Sequence, residues 1–187
     1  MKHLLVLTSI LLLNCSFLIA PNNINNDFRE ENYKLIQKES NFFKIYNESL
    51  QTLKEFEGLR LVPYQDSRGY SIGYGHFIKN YESFTIISEE KAEALLRVDF
   101  ESAISSIERL TEFNRYDNPE KVLALAHFIF QFGEGSFANS TLLKNIVNDK
   151  AINNEIVRWT HVTINGEKKS LPSLEKRRKY ELELFYS

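Results

Sequence analysis

The fold is decided by the segment Glu57-Gly58-Leu59-Arg60-Leu61-Val62-Pro63-Tyr64-Gln65-Asp66-Ser67-Arg68-Gly69-Tyr70-Ser71-Ile72-Gly73-Tyr74-Gly75-His76. Just before it, Leu50, Leu53 and Phe56 recur at helical spacing, which predicts a helix that buries one stripe and stops at Gly58. The tetrad Asp66-Ser67-Arg68-Gly69 fits a turn with Asp first and Gly fourth. The residues on either side of this turn can extend, so they are predicted to pair as a β-hairpin.

This arrangement brings two carboxylates together. Glu57 would lie in the last turn of the helix, where cations are favoured, so a purely stabilising role explains it poorly. Asp66 and Ser71 would face each other near the hairpin tip, above the end of that helix. Either acid alone would be read as solvated surface. Two acids converging from different elements suit glycoside hydrolysis, in which one carboxyl protonates the leaving oxygen and the other activates water or attacks the sugar.

The same residues resemble the signature of the phage-type lysozymes, which are endolysin muramidases. The likeness is carried by Glu57-Gly58-Leu59-Arg60-Leu61, Tyr64-x-Asp66, Gly69 and Ser71-Ile72-Gly73-Tyr74-Gly75-His76. In that family a Glu is followed by eight residues, then Asp, then a short spacer and Thr. Glu57 and Asp66 keep this spacing. Ser71 replaces the Thr, which keeps the hydroxyl and loses a methyl.

Two later segments extend the resemblance over about residues 49–187. They are Phe130-Gln131-Phe132-Gly133 with Phe137-x-x-Ser140, and Leu171-Pro172-Ser173-Leu174 with Arg177-Arg178 and Glu181. The resemblance implies an α+β, lysozyme-like fold. It has a small β-hairpin lobe, a larger, mainly helical lobe, and the active-site cleft between them.

The resemblance also implies a function. The chain is expected to be a muramidase that cleaves, with inversion, the β-1,4 bond between N-acetylmuramic acid and N-acetylglucosamine in bacterial peptidoglycan. Glu57 is the expected general acid, Asp66 the base or electrostatic stabiliser, and Ser71 the hydroxyl that holds the water, although a plain strand serine competes for Ser71. The alternatives are a non-catalytic peptidoglycan-binding module of the same fold, and a lipoprotein whose N-terminal helices bind a protein partner.

Further positions match the places where the family lines its sugar groove. The predicted substrate-binding residues are Tyr64, His76, Phe77, Phe130, Gln131 and Ser140. Tyr64 could instead pack in the hairpin, Phe130 in the core, and Phe77 could make contact only through its backbone. His76 suits a structural bond to a nearby acid better than acid or base catalysis. Arg177 and Arg178 could pair with acids or meet the anionic wall, although a solvated basic helix face is the default interpretation. For Trp159, core packing is preferred to sugar stacking.

Composition and charge limit the classes of partner and cofactor that the chain is expected to use. The chain has 187 residues, 43% of them hydrophobic and 26% charged, which is enough for a packed core. Its formal net charge of -2 gives no basic footprint for nucleic acid. Cys15 is the only cysteine, and no Cys/His cluster has metal-ligand spacing. Neither a metal nor nucleic acid is therefore expected. The resemblance implies peptidoglycan as the partner and a reaction without cofactor, and a monomer is expected.

The N-terminus reads as an export signal. Met1-Lys2-His3 is positive and is followed by an interrupted apolar run, Leu4 to Ala20. Three fates stay open: cleavage after Ala20, acylation at Cys15, or retention as an uncleaved membrane tether, for which 17 residues are marginal. The predicted location is periplasmic or extracellular. The predicted organisation is a signal peptide or anchor at 1–20, a linker and N-terminal helical extension at 21–48, and the catalytic domain at 49–187.

The remaining elements follow from local signals. Ser88 is a predicted N-cap because two acids follow it, and Pro119 suits a first helical position. Residues 122–132 are apolar nearly all round, which predicts a buried central helix that Gly133 stops. Further helices are predicted at 140–147, 152–159 and 174–185, and a tight turn at Asn165-Gly166.

Overall fold

The computed structural model describes residues 26–66, 69–164 and 167–187. The chain divides into two units, Met1–Gln37 and Lys38–Ser187. The helices are α1 (Asn26–Glu57), α2 (Glu89–Leu110), α3 (Pro119–Phe132), α4 (Glu134–Ala138), α5 (Thr141–Val147), α6 (Asn153–Ile156) and α7 (Pro172–Phe185), with a 3-10 turn at Val157–Thr160. The strands are β1 (Arg60–Asp66), β2 (Gly69–Gly73), β3 (His76–Phe77), β4 (His161–Ile164) and β5 (Glu167–Ser170).

Helix α1 is one continuous helix of 32 residues, from Asn26 to Glu57. In the second unit its buried stripe includes Phe42, Tyr46, Leu50 and Leu53, at helical spacing. The helix ends at Glu57, as predicted. Gly58 adopts φ 69° and donates its N–H to the carbonyl of Lys54 at 3.0 Å, which satisfies one of the last carbonyls of the helix.

The predicted hairpin is confirmed. Strand β1 pairs antiparallel with β2, with Tyr64 opposite Ser71 and Asp66 opposite Gly69. The register shifts between Arg60 and Tyr64, a stretch that contains Pro63, which cannot donate a ladder hydrogen bond. Strand β3 pairs with β2 and completes a three-stranded sheet in the order β1-β2-β3. The turn residues 67 and 68 lie outside the described residues.

The helical lobe follows the predicted caps. Ser88 accepts the N–H of Lys91 at 3.2 Å and begins α2. Helix α3 begins at Pro119, ends at Phe132, and is buried over most of its length, which confirms the predicted central helix. The core contains side chains from α1, α2 and α3, among them Phe42, Leu53, Phe100, Ile104, Leu123 and Phe128. The architecture is therefore α+β: mainly helical, with a small antiparallel sheet.

Two local predictions need correction or completion. The helix predicted at 152–159 is one short helix, α6, followed by a 3-10 turn, because Trp159 adopts ψ 29° and leaves the helical path. Strands β4 and β5, which sequence reasoning did not name, pair antiparallel with Ile164 opposite Glu167. The predicted tight turn at Asn165-Gly166 joins them but lies outside the described residues.

The predicted export segment and Cys15 also lie outside the described residues. Within the part of the chain that the structure describes, none of the helices combines the length and the apolar character that crossing a bilayer requires.

Candidate active site

The two predicted catalytic acids are the last residues of two consecutive elements, α1 and β1. Glu57 is the last residue of α1, and its side chain is 20% exposed. Asp66 is the last residue of β1 and is exposed. Ser71, in β2, is fully buried, and its hydroxyl donates a hydrogen bond to Oδ2 of Asp66 at 3.3 Å. The hairpin register therefore brings the hydroxyl and the second carboxylate together.

The Tyr64 phenol is affected by the charges of both acids. Burial is the main cause that raises the pKa of Tyr64, and the negative charges of Asp66 and Glu57 raise it further. The guanidinium of Arg60 lies 4.4 Å from the centre of the Tyr64 ring and opposes these effects. The phenol thus lies within the electrostatic reach of both carboxylates, on the half-buried part of the hairpin.

Arg177 of α7 holds the carboxylate of Glu57. Its Nη1 donates to Oε1 of Glu57 at 2.6 Å, and its Nη2 donates to the carbonyl of Phe56 at 2.9 Å. The Arg177 side chain is only 10% exposed, so the default interpretation of a solvated residue is wrong for it. A Cβ added at Gly75 would lie 3.6 Å from Oε2 of Glu57, so the absence of a side chain there leaves room beside that oxygen.

Arg178 is buried as well, which corrects the same default interpretation. Its Nη2 donates to Oε1 of Glu181 at 2.5 Å and to Oε1 of Gln131 at 2.8 Å. Arg178 and Glu181 are each 1% exposed. Burial raises the pKa of Glu181 to about 7 against the opposing charge of Arg178, and burial lowers the pKa of Arg178.

His76 is held between two carboxylates. Its Nδ1 lies 2.7 Å from Oδ2 of Asp99, and its Nε2 lies 3.2 Å from Oε2 of Glu82. The ring is 4% exposed. The hydrogen bond with Asp99 is the main cause that raises the pKa of His76, and Glu82 adds to it, while burial opposes it. Because both nitrogens are engaged, the geometry favours the structural role over contact with substrate.

This arrangement predicts a pH-dependent stability. The raised pKa means that the stabilisation is fully present below about pH 6.5 and is lost as the pH rises through the folded-state pKa of His76. We expect His76→Gln to lower the free energy of unfolding by about 1.5–3 kcal/mol near pH 6, and by less at alkaline pH. Urea denaturation across this pH range measures the difference. His161→Gln, at an exposed position on β4, is the control; equal pH slopes in the two variants would refute the assignment.

The other predicted groove residues have mixed surroundings. The Ser140 hydroxyl accepts the N–H of Leu143 at 3.0 Å and donates to the carbonyl of Phe137 at 2.7 Å, so it caps α5 and is 6% exposed. Phe130 is partly buried against Phe100, with ring centres 6.5 Å apart. Phe77 is exposed. The geometry therefore favours a helix cap for Ser140 and leaves Phe77 open to solvent.

Trp159 packs in the core, as preferred from the sequence: its ring centre lies 4.9 Å from those of both Phe128 and Phe132.

Sequence reasoning missed Asp99 as the partner of His76. The available signal was that Asp99 continues the helical spacing of the apolar residues Leu95 and Leu96, which the structure shows to be buried. Among the described residues, no group of three or more His, Cys, Asp or Glu side chains is placed to hold a metal ion.

Comparisons with known proteins agree with this fold. The family model for phage lysozyme matches residues 54–181. The endolysin of Acyrthosiphon pisum secondary endosymbiont phage 1 is 35% identical over 151 residues, which are 76% of this chain and 98% of that protein. The muramidase domain of SpmX from Asticaccaulis excentricus is similar in structure, with a TM-score of 0.66 and 28% identity over 75% of this chain and 95% of that domain.

An endolysin from Escherichia coli O157:H7 phage FAHEc1 is also similar, with a TM-score of 0.61 and 25% identity over 73% of this chain and 89% of that chain. The family match includes the whole hairpin, most of the helical lobe, and the residues Glu57, Asp66 and Arg177. The chain therefore belongs to the phage lysozyme family and is an enzyme of the lysozyme class.

Proposed function

We propose that this lysozyme hydrolyses the β-1,4 bond between N-acetylmuramic acid and N-acetylglucosamine in bacterial peptidoglycan. The observation that carries the proposal is the hydrogen bond from Ser71 to Asp66, on a hairpin that follows directly after Glu57. Glu57 and Asp66 supply the acid and the carboxylate that the reaction needs, and Ser71 supplies a hydroxyl that is proposed to hold the water. The relatives named as an endolysin and as a muramidase domain support the same substrate class.

Glu57 acts as the general acid in this proposal. Arg177 occupies Oε1, while Oε2 makes no hydrogen bond to another described residue and faces the backbone of Gly75. We assign the transferred proton to Oε2. A sugar that fills the cleft displaces water from around this carboxyl. The carboxyl then protonates the glycosidic oxygen as the bond breaks.

Asp66 acts as the base. Its exposed carboxylate accepts a hydrogen bond from Ser71, and an ionised carboxylate can accept a proton from water. The Ser71 hydroxyl donates its proton to Asp66, so its own lone pairs can accept a hydrogen bond from the same water. The water attacks the anomeric carbon from the face opposite the leaving group, and the product has inverted configuration.

We assign the residues of the sugar-binding groove from their exposure in the structure. Exposed Phe77 and half-buried Tyr64 are proposed as sugar contacts, with Phe130 and Gln131 on the helical lobe. His76 and Ser140 are proposed to support the groove indirectly, through the loop that ends at Glu82 and through the start of α5.

Variants at Ser71 test the role of the hydroxyl. Ser71→Ala should lower kcat about 10- to 100-fold, because water loses one of its two positioning groups. Ser71→Thr should keep at least the parent activity, since it retains the hydroxyl that the family places there. Initial rates of release of reducing sugar, measured beside the thermal midpoint of each variant, decide the question. Equal activity of the Ala variant and the parent would identify Ser71 as a plain strand serine.

Hydrolysis is tested with the full-length protein and a suspension of purified peptidoglycan. Loss of turbidity with release of soluble glycan is the expected result. If the protein sediments with the wall and releases no glycan, it is the non-catalytic binding module instead. Glu57 is not locked in a saturated ion-pair network, since Arg177 contacts only one of its oxygens, and this favours the enzyme.

Export is part of the proposal. A substrate in the cell wall requires passage across the cytoplasmic membrane, and the apolar segment 4–20 is the proposed signal or tether. The division into 1–20, 21–48 and 49–187 stays a prediction. Helix α1 continues through residue 48, and the second unit begins at Lys38.

A further inference from the structure

The buried pair Arg178–Glu181 is the feature that the reaction does not use directly. The guanidinium lies against two neighbouring aromatic rings, 5.0 Å from the centre of Phe128 and 4.9 Å from that of Phe132. One of its nitrogens, Nη2, serves both Glu181 and Gln131. Gln131 lies next to the end of α3 and is half-buried, so it can meet a ligand on its open side.

Stability alone explains this pair poorly. Removing two charges from water costs several kcal/mol for each ion, and the mutual attraction repays this only when the remaining polar atoms are also bonded. Nε and Nη1 of Arg178, and Oε2 of Glu181, make no hydrogen bond to another described residue. An apolar pair of similar volume would fill the same space beside the rings without that cost.

The pair does fix the orientation of one amide. Arginine has only donors, so the group of Gln131 that contacts Arg178 must be its oxygen, Oε1. The amide nitrogen then lies on the other side of the same planar group and carries two donors. Without Arg178, the amide could turn and present either its oxygen or its nitrogen to a ligand.

We propose that Arg178, neutralised by Glu181, is a positioning residue that holds Gln131 with its NH2 group directed to the substrate as a donor to an acyl carbonyl oxygen. The inference rests on the proposed function, because it concerns the same groove. Peptidoglycan offers this chemistry in two places: the N-acetyl groups of its sugars and the amides of its stem peptides. The lone pairs of either carbonyl fit an amide donor.

The test removes the pair without leaving a buried charge. We expect the double variant Arg178→Met/Glu181→Leu to fold with a thermal midpoint at or above that of the parent. Its half-saturating concentration of soluble peptidoglycan should rise about three- to tenfold, the worth of one hydrogen bond, with kcat and its pH profile unchanged. The matched control is Lys179→Met/Glu183→Leu, an exposed ion pair on the same helix, which should change neither value.

A cycle with Gln131→Met separates positioning from a merely structural role. Once Gln131 is Met, the double substitution should raise the half-saturating concentration no further. Full additivity of the two effects, or an unchanged half-saturating concentration in the double variant, would overturn the inference. A fall in kcat would also overturn it, since that would mean α7 had shifted and carried Arg177 away from Glu57.

A second substrate and a replacement variant complete the experiment. On glycan strands freed of stem peptides, a persisting effect assigns the carbonyl to the N-acetyl groups, and its loss assigns it to the peptide. If the double variant does not fold, Arg178→Lys replaces it, because a lysine ammonium lacks the rigid planar geometry with which the guanidinium directs Nη2 to both acceptors, and the same rise is expected. A parent that cleaves no peptidoglycan refutes the proposed function, whereas an active parent with an unaltered double variant refutes only this inference.

Discussion

Glu57→Gln should lower kcat on purified peptidoglycan about 10²- to 10⁴-fold, the usual contribution of a positioned general acid. The amide keeps the shape of the carboxyl, and its oxygen can still accept the hydrogen bond from Arg177. The variant cannot protonate the leaving oxygen, so the loss falls on kcat while binding of the glycan persists. The rate of reducing-sugar release and sedimentation with the wall measure the two properties separately.

The control for this substitution is Glu55→Gln, two residues earlier on α1, where the side chain is exposed. It should retain full activity. Because Arg177 keeps an acceptor, the Glu57 variant should also unfold within a few degrees of the parent. If Glu57→Gln kept more than about a tenth of the parent rate, well above the range expected for loss of a general acid, the role assigned to Glu57 would be wrong.

The second large effect is expected at Asp66. Asp66→Asn keeps an acceptor for the Ser71 hydroxyl but removes the negative charge that takes the proton from water. We expect kcat to fall about 10²- to 10⁴-fold, with a half-saturating substrate concentration near that of the parent. Asp149→Asn, an exposed position beyond α5, is the control. If the Asp66→Asn variant kept a kcat near that of the parent, Asp66 would not be the base.

The hairpin and the end of α1 were predictable because local rules decide them. Gly58 ends a helix where a positive φ is needed, and the tetrad that begins at Asp66 has the residues of a turn. Once the turn is placed, the antiparallel register brings Ser71 to the carboxylate of Asp66. The contact between Ser71 and Asp66 therefore depends only on a short segment, and the sequence of that segment is enough to predict it.

The contacts from α7 were not predictable in this way. Arg177 reaches Glu57 across 120 residues, and no local pattern joins these positions. A weaker signal did exist for its neighbour. Leu174, Arg178, Glu181 and Phe185 follow the spacing of one helix face, and all four are buried. Charged residues on an apolar face indicate a buried pair, but the sequence cannot say that Gln131 completes it.

The segment 152–170 shows a different limit. Its residues are consistent with a helix up to Trp159, yet the chain leaves the helical path there and turns into β4. The ring of Trp159 packs on Phe128 and Phe132 of α3, so a tertiary contact accompanies the local break. Periodicity over four to eight residues does not contain this information.

The most direct measurement is the identity of the sugar at the new chain ends. Purified peptidoglycan is digested with the full-length protein, the new ends are reduced with borohydride, and the soluble fragments are analysed by mass spectrometry. We expect reduced N-acetylmuramic acid at the new ends, and the Glu57→Gln variant should produce almost none. New ends that carry N-acetylglucosamine or an anhydro sugar, or stem peptides released from intact glycan, would contradict it.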